Sequence, residues 1–450
     1  MNRVKQLLCV LLTTCSATTL QAQNINTAKL DSFFNVLEAN NKIMGSAAIA
    51  QNGKVLYTRS VGYTQMTAGA GIKADADTKY RIGSISKMFT ATMVFQLVEE
   101  KKLALDTKLS AYYPEIPNAA RITIGQMLSH HSGIYNFTDD TAYSEWLAQA
   151  KTHEEMLKIM AAHAPAFAPG EKGEYSNANY VLLGYIIEKV TKSTYGEQLK
   201  KRIVQKAGLK NTMAGGKINT QNHEAQSYYF DADKWQPATE TDMSIPGGAG
   251  GVISTPSDLT KFVTALFDGK LISKTSLAQM TTIKDNYGMG IFKMPFHERS
   301  SFGHTGGIDG FASITGYFPD DKVCVAVTLN GGNYSANDVG IGVLSIFYNK
   351  DFQIPQFKNI KLSPKMLSYY QGVYTSKQIP LKITVTQMNN RLVAQAEGQS
   401  AIPLDAVSET EFRFDAAGIL MIFKRNDDGN ITQFNLKQGG GNFLFEKQSQ

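Results

Sequence analysis

Apolar residues first recur at helical spacing at Leu30, Phe33, Phe34 and Leu37, which predicts an amphipathic helix over residues 24–40. The period then drops to two. Ser46-Ala47-Ala48-Ile49-Ala50 and Val55-Leu56-Tyr57 are joined by Gln51-Asn52-Gly53-Lys54, a hairpin with Asn-Gly as its turn signal. From Ser84 to Glu100 helical spacing returns (Met88, Ala91, Val94, Phe95, Val98), and helical patterns with Gly/Pro punctuation continue to about residue 285. Strands resume from Tyr287: Phe311 to Phe318, a Pro319-Asp320-Asp321 turn, then Lys322 to Leu329. Strands at both ends of a helical middle predict an α+β fold. Its antiparallel sheet is flanked by helices, closed by pairing of the first and last strands, and joined by a mostly helical subdomain.

The texture changes beyond residues 353–364, a stretch with two prolines and no strong periodicity. Leu381, Ile383 and Val385 alternate, Asn389-Asn390 makes a turn, and Leu392, Ala394 and Ala396 alternate again. Phe412/Phe414, Leu420/Ile422, Ile431–Leu436 and Phe443/Phe445 continue the series, which predicts an all-β sandwich or small barrel over residues 365–450. That segment holds no His and no Cys, so its expected role is packing or restricting substrate rather than chemistry. A chain of 450 residues exceeds one ordinary core, and the division places the main unit at residues 23–352.

The first 22 residues are a separate object. Arg3 and Lys5 precede the apolar run Leu7–Leu12, and small residues follow down to Ala22, the arrangement of a secretory signal peptide. The run is far short of the ~20 residues of a membrane helix, so a periplasmic or secreted protein without a transmembrane segment is expected. A lipoprotein attached through Cys15 is the alternative, with Thr14 larger than the residue usual before a lipidated cysteine. Cys9 and Cys15 fall in this leader and leave Cys324 alone, which excludes an intramolecular disulfide; its setting in Val323–Val327 predicts a buried strand position. Hydrophobic content of 43% and charged content of 19% are those of a soluble globular protein. The formal charge of +6 includes Arg3 and Lys5, and no basic block is interleaved with aromatics, so nothing points to nucleic acid.

Three polar stretches carry candidate chemistry. Ser84-x-x-Lys87 places two side chains on one helix face a turn apart, where a partly desolvated lysine can take the serine proton. Gly83 allows a sharp entry, and a helix beginning at Ser84 aims its dipole at the hydroxyl. A surface helix start would read the same way, so the motif needs company. Tyr175 and Asn177 follow Pro169-Gly170 on a loop opening the apolar helix Val181–Ile187; a helix cap at Asn177 is the plainer reading. His304-Thr305-Gly306-Gly307 precedes the strand hairpin, and its glycines admit close backbone approach to an extended substrate; a Gly-rich loop with a solvated His is the plainer reading there.

Taken together, Ser-x-x-Lys, Tyr-x-Asn and His-Thr-Gly in this order resemble the serine β-lactamase / penicillin-binding-protein-like family, in its branch of class C β-lactamases, DD-carboxypeptidases, D-aminopeptidases and esterases. Gln126–Ile134, Gly248–Thr255 and Tyr287-Gly288-Met289-Gly290 are similar to further family segments, and the β tail resembles a lipocalin-like accessory domain. The resemblance implies an exported serine hydrolase working through an acyl-enzyme on D-amino-acid peptides, amides or esters, with a small-molecule or peptide substrate such as a cell-wall peptide. Ser84 would be the nucleophile, and Lys87 and Tyr175 would share the proton traffic, Lys87 keeping the Tyr175 pKa low. The resemblance leaves open which of them takes the serine proton. Asn177 would bind the substrate's side amide, the N–H groups of Ser84 and Gly307 would form an oxyanion hole worth ~3 kcal/mol per donor, and His304 and Thr305 would face the substrate's carboxylate or amine end.

His304 departs from the lysine favoured in β-lactamases. A partly charged imidazole anchors a carboxylate less firmly, which turns the expectation from antibiotic hydrolysis toward peptidase or esterase chemistry. A class C-like β-lactamase is the alternative, and a catalytically idle penicillin-binding sensor a third reading, disfavoured by the presence of all three reactive groups. His130 and His131 are expected to pack within a structural segment. His153, His163, His223 and His297 show no metal-ligand spacing; neither a metal nor a cofactor is expected.

Overall fold

The computed structural model describes residues 25–67, 70–231 and 234–448. The leader read at residues 1–22, with Cys9 and Cys15, lies outside them. In the central antiparallel sheet the strand Ile43–Gln51 is paired on one side with the edge strand Lys54–Val61 and on the other with Val323–Gly332. The sheet therefore closes first strand to last, as the alternating segments predict. Asn52 and Gly53 both take positive φ (51° and 76°), the conformation a two-residue hairpin turn requires. Outward from Val323–Gly332 the order continues through Phe311–Phe318, Arg299–Ile308 and Phe292–Phe296. Ile43–Ala50 and Val323–Gly331 are buried along their whole length because helices cover both faces, which explains their unbroken apolar sequence. Cys324 is fully buried there.

On one face lie helices Thr27–Ala39 and Ala336–Phe347, whose Phe33, Phe34, Val339 and Val343 join the sheet's apolar side chains in one core. On the other lies a larger core built around helices Ser86–Glu99, Asn177–Thr191 and Pro256–Phe267, with Phe89 stacked on Phe262 at 3.7 Å between ring centroids. Ser86 through Leu97 are all buried, so this helix is enclosed on every side rather than laid on a surface. The helical middle is interrupted by short strands, Met213–Ala214, Tyr228–Asp231, Lys234–Pro237 and Val252–Ser254, too brief to show periodicity.

The C-terminal region is a closed antiparallel barrel of eight strands running from Gly372–Thr375 to Gly441–Lys447, which pair to shut it. Two of its strands escape the sequence reading. Gly372–Thr375 is short, and Pro403 masks the alternation of Ile402, Leu404 and Ala406 in the other. Rings of Tyr374, Phe412, Phe423, Phe434 and Phe445 fill the interior, Phe434 and Phe445 stacking at 5.0 Å. Where barrel meets sheet, Lys42 pairs with Asp415 at 2.7 Å, and Lys42 and Arg413 both face the ring of Phe357, at 4.7 and 4.9 Å.

Candidate active site

Ser84 stands in a short 3-10 turn, Gly83–Ile85, that runs directly into the α-helix Ser86–Glu99. The α-helix thus begins two residues later than the motif suggests, and Ser84 lies at its positive end. Gly83 adopts φ +50°, and a Cβ there would lie 2.8 Å from the Gly307 nitrogen. The Ser84 turn is thereby pressed against the strand Arg299–Ile308. A Cβ on Gly306 would meet the Ile82 carbonyl at 2.1 Å, so this close approach needs both glycines.

The Lys87 amine is fully buried and has three partners: Ser84 Oγ at 2.9 Å, Asn177 Oδ1 at 2.8 Å and the Ala249 carbonyl at 2.8 Å. Burial holds its pKa well below the ordinary lysine value. Asn177 is the first residue of its helix, with Ser176 at the cap position, so the plain capping reading of Asn177 does not apply. Its backbone N–H donates to Asn136 Oδ1 at 2.9 Å, and its Nδ2 donates to Thr138 Oγ1 at 3.0 Å, which orients the amide oxygen toward Lys87.

Tyr175 is half-buried, with its phenol in hydrogen-bonding reach of Ser84 and the Lys87 nitrogen 4.9 Å above its ring. Its pKa is raised, chiefly by burial, against the pull of the Ser84 hydrogen bond. This corrects the expectation that Lys87 keeps the phenol acidic. Burial disfavours charge on both groups, which favours a neutral amine beside a neutral phenol.

The strand's two-residue period corrects a second expectation. His304 and Thr305 are neighbours on one strand and project from opposite faces, so they cannot share one end of a substrate. His304 turns inward, 2% exposed, between the rings of Phe292 at 4.5 Å and Tyr175 at 6.4 Å, with Nδ1 2.5 Å from its neighbour's carbonyl oxygen. Burial, then the nearby Lys87, brings its pKa down to about 3, so the imidazole is neutral at physiological pH rather than partly charged. Thr305 lines grooves on the outer side of the sheet, away from Ser84. Gly307 does reach the site and lines a cavity of about 430 Å³ together with Ser84 and Asn177.

Aromatic and apolar groups, among them Phe137, Tyr143, Leu147 and Ile308, make much of that cavity's wall, with Thr239 and Thr241 as polar members. Among the described lining residues none is Lys or Arg, and the one charged side chain, Asp309, is spent on Arg81 at 2.8 Å. Arg81 is a residue the motif search overlooks. It is 2% exposed and donates to Asp309, Glu240, Gly216 O and Thr241 O, tying the strand before Ser84 to the turn after Gly307 and to the loop forming the opposite wall. Its only sequence signal is a charged residue two positions before Gly83, between the apolar Tyr80 and Ile82. His130 is also more than filler: its ring stacks on Tyr175 at 4.4 Å. His131 bonds Asp285 at 3.0 Å and the Ser129 carbonyl at 2.6 Å, a structural arrangement. Among the described residues no group of three His, Cys, Asp or Glu could hold a metal ion.

Comparison with known proteins places the fold among relatives. The Beta-lactamase family model matches residues 31–341. Teichoic acid D-alanine hydrolase of Staphylococcus aureus (strain NCTC 8325 / PS 47) is 27% identical over 296 residues, covering 64% of this chain and 71% of that protein. The crystal structure of D-amino acid amidase from Ochrobactrum anthropi SV3, complexed with L-phenylalanine amide, superposes with a TM-score of 0.63 at 27% identity, over 72% of this chain and 99% of that one. The octameric penicillin-binding protein homologue from Pyrococcus abyssi superposes with a TM-score of 0.65 over 94% of this chain and 100% of that one; at 24% identity this speaks to the fold alone.

Proposed function

The chain belongs to the beta-lactamase family of serine hydrolases, and from that premise we propose that it is an exported enzyme that hydrolyses amides and esters of D-amino acids through an acyl-Ser84 intermediate. One observation carries the chemistry: the partners of Lys87. Asn177 Oδ1 and the Ala249 carbonyl can only accept, so they take the two N–H groups of a neutral amine. Lys87 Nζ donates to Ser84 Oγ at 2.9 Å; once the amine is neutral its third position is a lone pair, and Ser84, the one partner able to donate, would then donate to it. Lys87 is accordingly the group that takes the serine proton as Oγ attacks the carbonyl carbon. Tyr175, still protonated, gives its proton to the leaving nitrogen or oxygen and is resupplied by Lys87. The N–H groups of Ser84 and Gly307 receive the oxyanion, and Asn177 holds the substrate's side amide.

The cavity supports the choice of substrate. DD-peptides and β-lactams bring a carboxylate near the reacting carbonyl, and among the described residues no Lys or Arg lines this pocket to receive it. Aminoacyl amides and esters bring none, and the relatives named above, a D-amino acid amidase and a teichoic acid D-alanine hydrolase, point the same way. The leader-like segment at residues 1–22 supports export. The test is intact-mass detection of acyl-Ser84 against a panel of D-phenylalanine amide, p-nitrophenyl esters, D-Ala-D-Ala peptides and cephalosporins. Turnover of the first two, abolished by Ser84→Ala, is expected. A labelled Ser84→Ala protein, or cephalosporin turnover faster than ester turnover, overturns the reading.

A further inference from the structure

We propose that His130 is a positioning residue that holds Tyr175 in place as the proton donor to the leaving group; the proposal rests on the Ser84 chemistry above. His130 grips the tyrosine from three directions. Its imidazole stacks on the phenol ring, centroids 4.4 Å apart and planes 27° from parallel. Its carbonyl accepts the Glu174 N–H at 2.9 Å, and its Nδ1 accepts the Ser176 N–H at 3.2 Å. The residues immediately before and after Tyr175 are thus both tied to one side chain and its own backbone. Tyr180 and Tyr287 close around the imidazole at 5.3 Å each, and the Tyr180 hydroxyl is anchored on the Leu128 carbonyl at 2.6 Å.

Two features show that His130 does more than fill space. It holds φ +59°, a left-handed conformation that few non-glycine residues adopt. Because Nδ1 accepts a hydrogen bond, the proton of the neutral ring must sit on Nε2, and Nε2 is buried with no hydrogen-bond partner among the described residues. A phenylalanine would fill the same volume without a stranded donor. What the imidazole supplies in return is the Nδ1 acceptor, which sets the backbone on the C-terminal side of Tyr175. The ionisable groups around it are the phenols of Tyr175, Tyr180 and Tyr287 and the basic Lys87, His304 and His131; burial first, then those basic groups, lower its pKa, so the ring stays neutral.

Two variants separate these contributions. His130→Asn tolerates the left-handed backbone and keeps an acceptor for Ser176 but removes the stacked ring; His130→Phe keeps the ring and removes the acceptor. The readout is the ratio of activity on D-phenylalanine amide, whose amine must be protonated to leave, to activity on p-nitrophenyl acetate, whose phenolate leaves unaided. Each variant is expected to lose about 10²-fold in kcat on the amide, the lower end of general-acid catalysis, and under about tenfold on the ester, with KM for both within about twofold. Tyr175→Phe should show the same selective loss, and adding His130→Asn to it should cost little more. Equal losses on the two substrates, or fully additive losses in the double variant, overturn the proposal. So does failure of both His130 variants to show a cooperative thermal transition, which would assign His130 to folding. If the wild-type protein forms no acyl-Ser84 with either substrate, it is the preceding functional reading that falls.

Discussion

Gly83 and Gly307 face each other with no room for a side chain between them: a Cβ on Gly83 would stand 2.8 Å from the Gly307 nitrogen and 2.9 Å from its oxygen. The two N–H groups proposed to receive the oxyanion belong to Ser84 and Gly307, so this contact sets their separation. Gly83→Ala must push the strand away and also strain a φ of +50°. Loss of one well-placed donor costs about 10²–10³ in kcat, and a loss in that range, with a modest change in KM, is expected from steady-state kinetics. Wild-type kcat in a folded Gly83→Ala protein would rule out this geometry.

The pH dependence of Lys87 has a definite sign. Burial lowers its native pKa, so the native state gives up this proton at a pH where the unfolded chain still holds it. Stability should therefore rise with pH from the depressed value up to about 10.4, the unfolded lysine value. On the proposed mechanism the neutral amine is the active form, so kcat/KM should climb with pH through the same depressed pKa. Lys87→Met should flatten this stability rise in denaturant titrations at several pH values, and should abolish acylation. A variant that keeps the wild-type slope would remove Lys87 as its source.

His304 titrates in the opposite range. Its native pKa is about 3, against about 6.5 when unfolded. Acid thus protonates the unfolded chain first. The stability due to the buried neutral ring is complete above about 6.5 and is lost as pH falls toward 3. His304→Gln should shrink the loss of stability between those limits, leaving the contribution of His130, whose pKa is also lowered by burial. Thermal unfolding of both proteins at pH 4 and pH 7.5 provides the comparison; an unchanged difference between the two pH values would exclude this role.

At the junction with the barrel, Asp338 has its pKa raised to about 6, first by burial and then by Asp415. A raised carboxylate pKa means the native state keeps a proton that the unfolded chain loses near 3.9. The penalty appears as pH climbs from about 4 to 6 and is complete above that. Asp338→Asn should raise the melting temperature at pH 7.5 and leave it nearly unchanged at pH 4, despite removing a favourable charge from the first turn of its helix. A lower melting temperature at pH 7.5 would show that the helix-end interaction outweighs the burial cost.

The parts legible in the sequence are those set by short-range periodicity. Ser84 and Lys87 meet because one helical turn separates them, and the 43–61 hairpin follows from Asn52-Gly53. The Gly306-Gly307 pair marks a close approach that the structure contains. Less legible are relations between segments distant along the chain. Arg81 meets Glu240 and Asp309 only after three segments converge, and nothing local to Arg81 names those partners. His130 and His131 look interchangeable as letters. A left-handed backbone at His130 sends one ring to Tyr175, while the other reaches Asp285. The inverted proton affinities of Lys87 and Tyr175, and the neutrality of His304, depend on burial, which motif spacing does not encode.

The pairing of the first strand with the last has a consequence for biosynthesis. Ile43–Gln51 has no complete sheet to join until Val323–Gly332 has been made, and Ser84 lacks Gly307 until Arg299–Ile308, two strands earlier, emerges. A nascent chain therefore carries its serine, lysine and tyrosine long before it can assemble them around a receptacle for negative charge. On the proposed mechanism synthesis order itself acts as a safety catch: any fragment ending short of Arg299–Ile308 holds the proposed nucleophile without the Gly307 N–H that would receive the oxyanion.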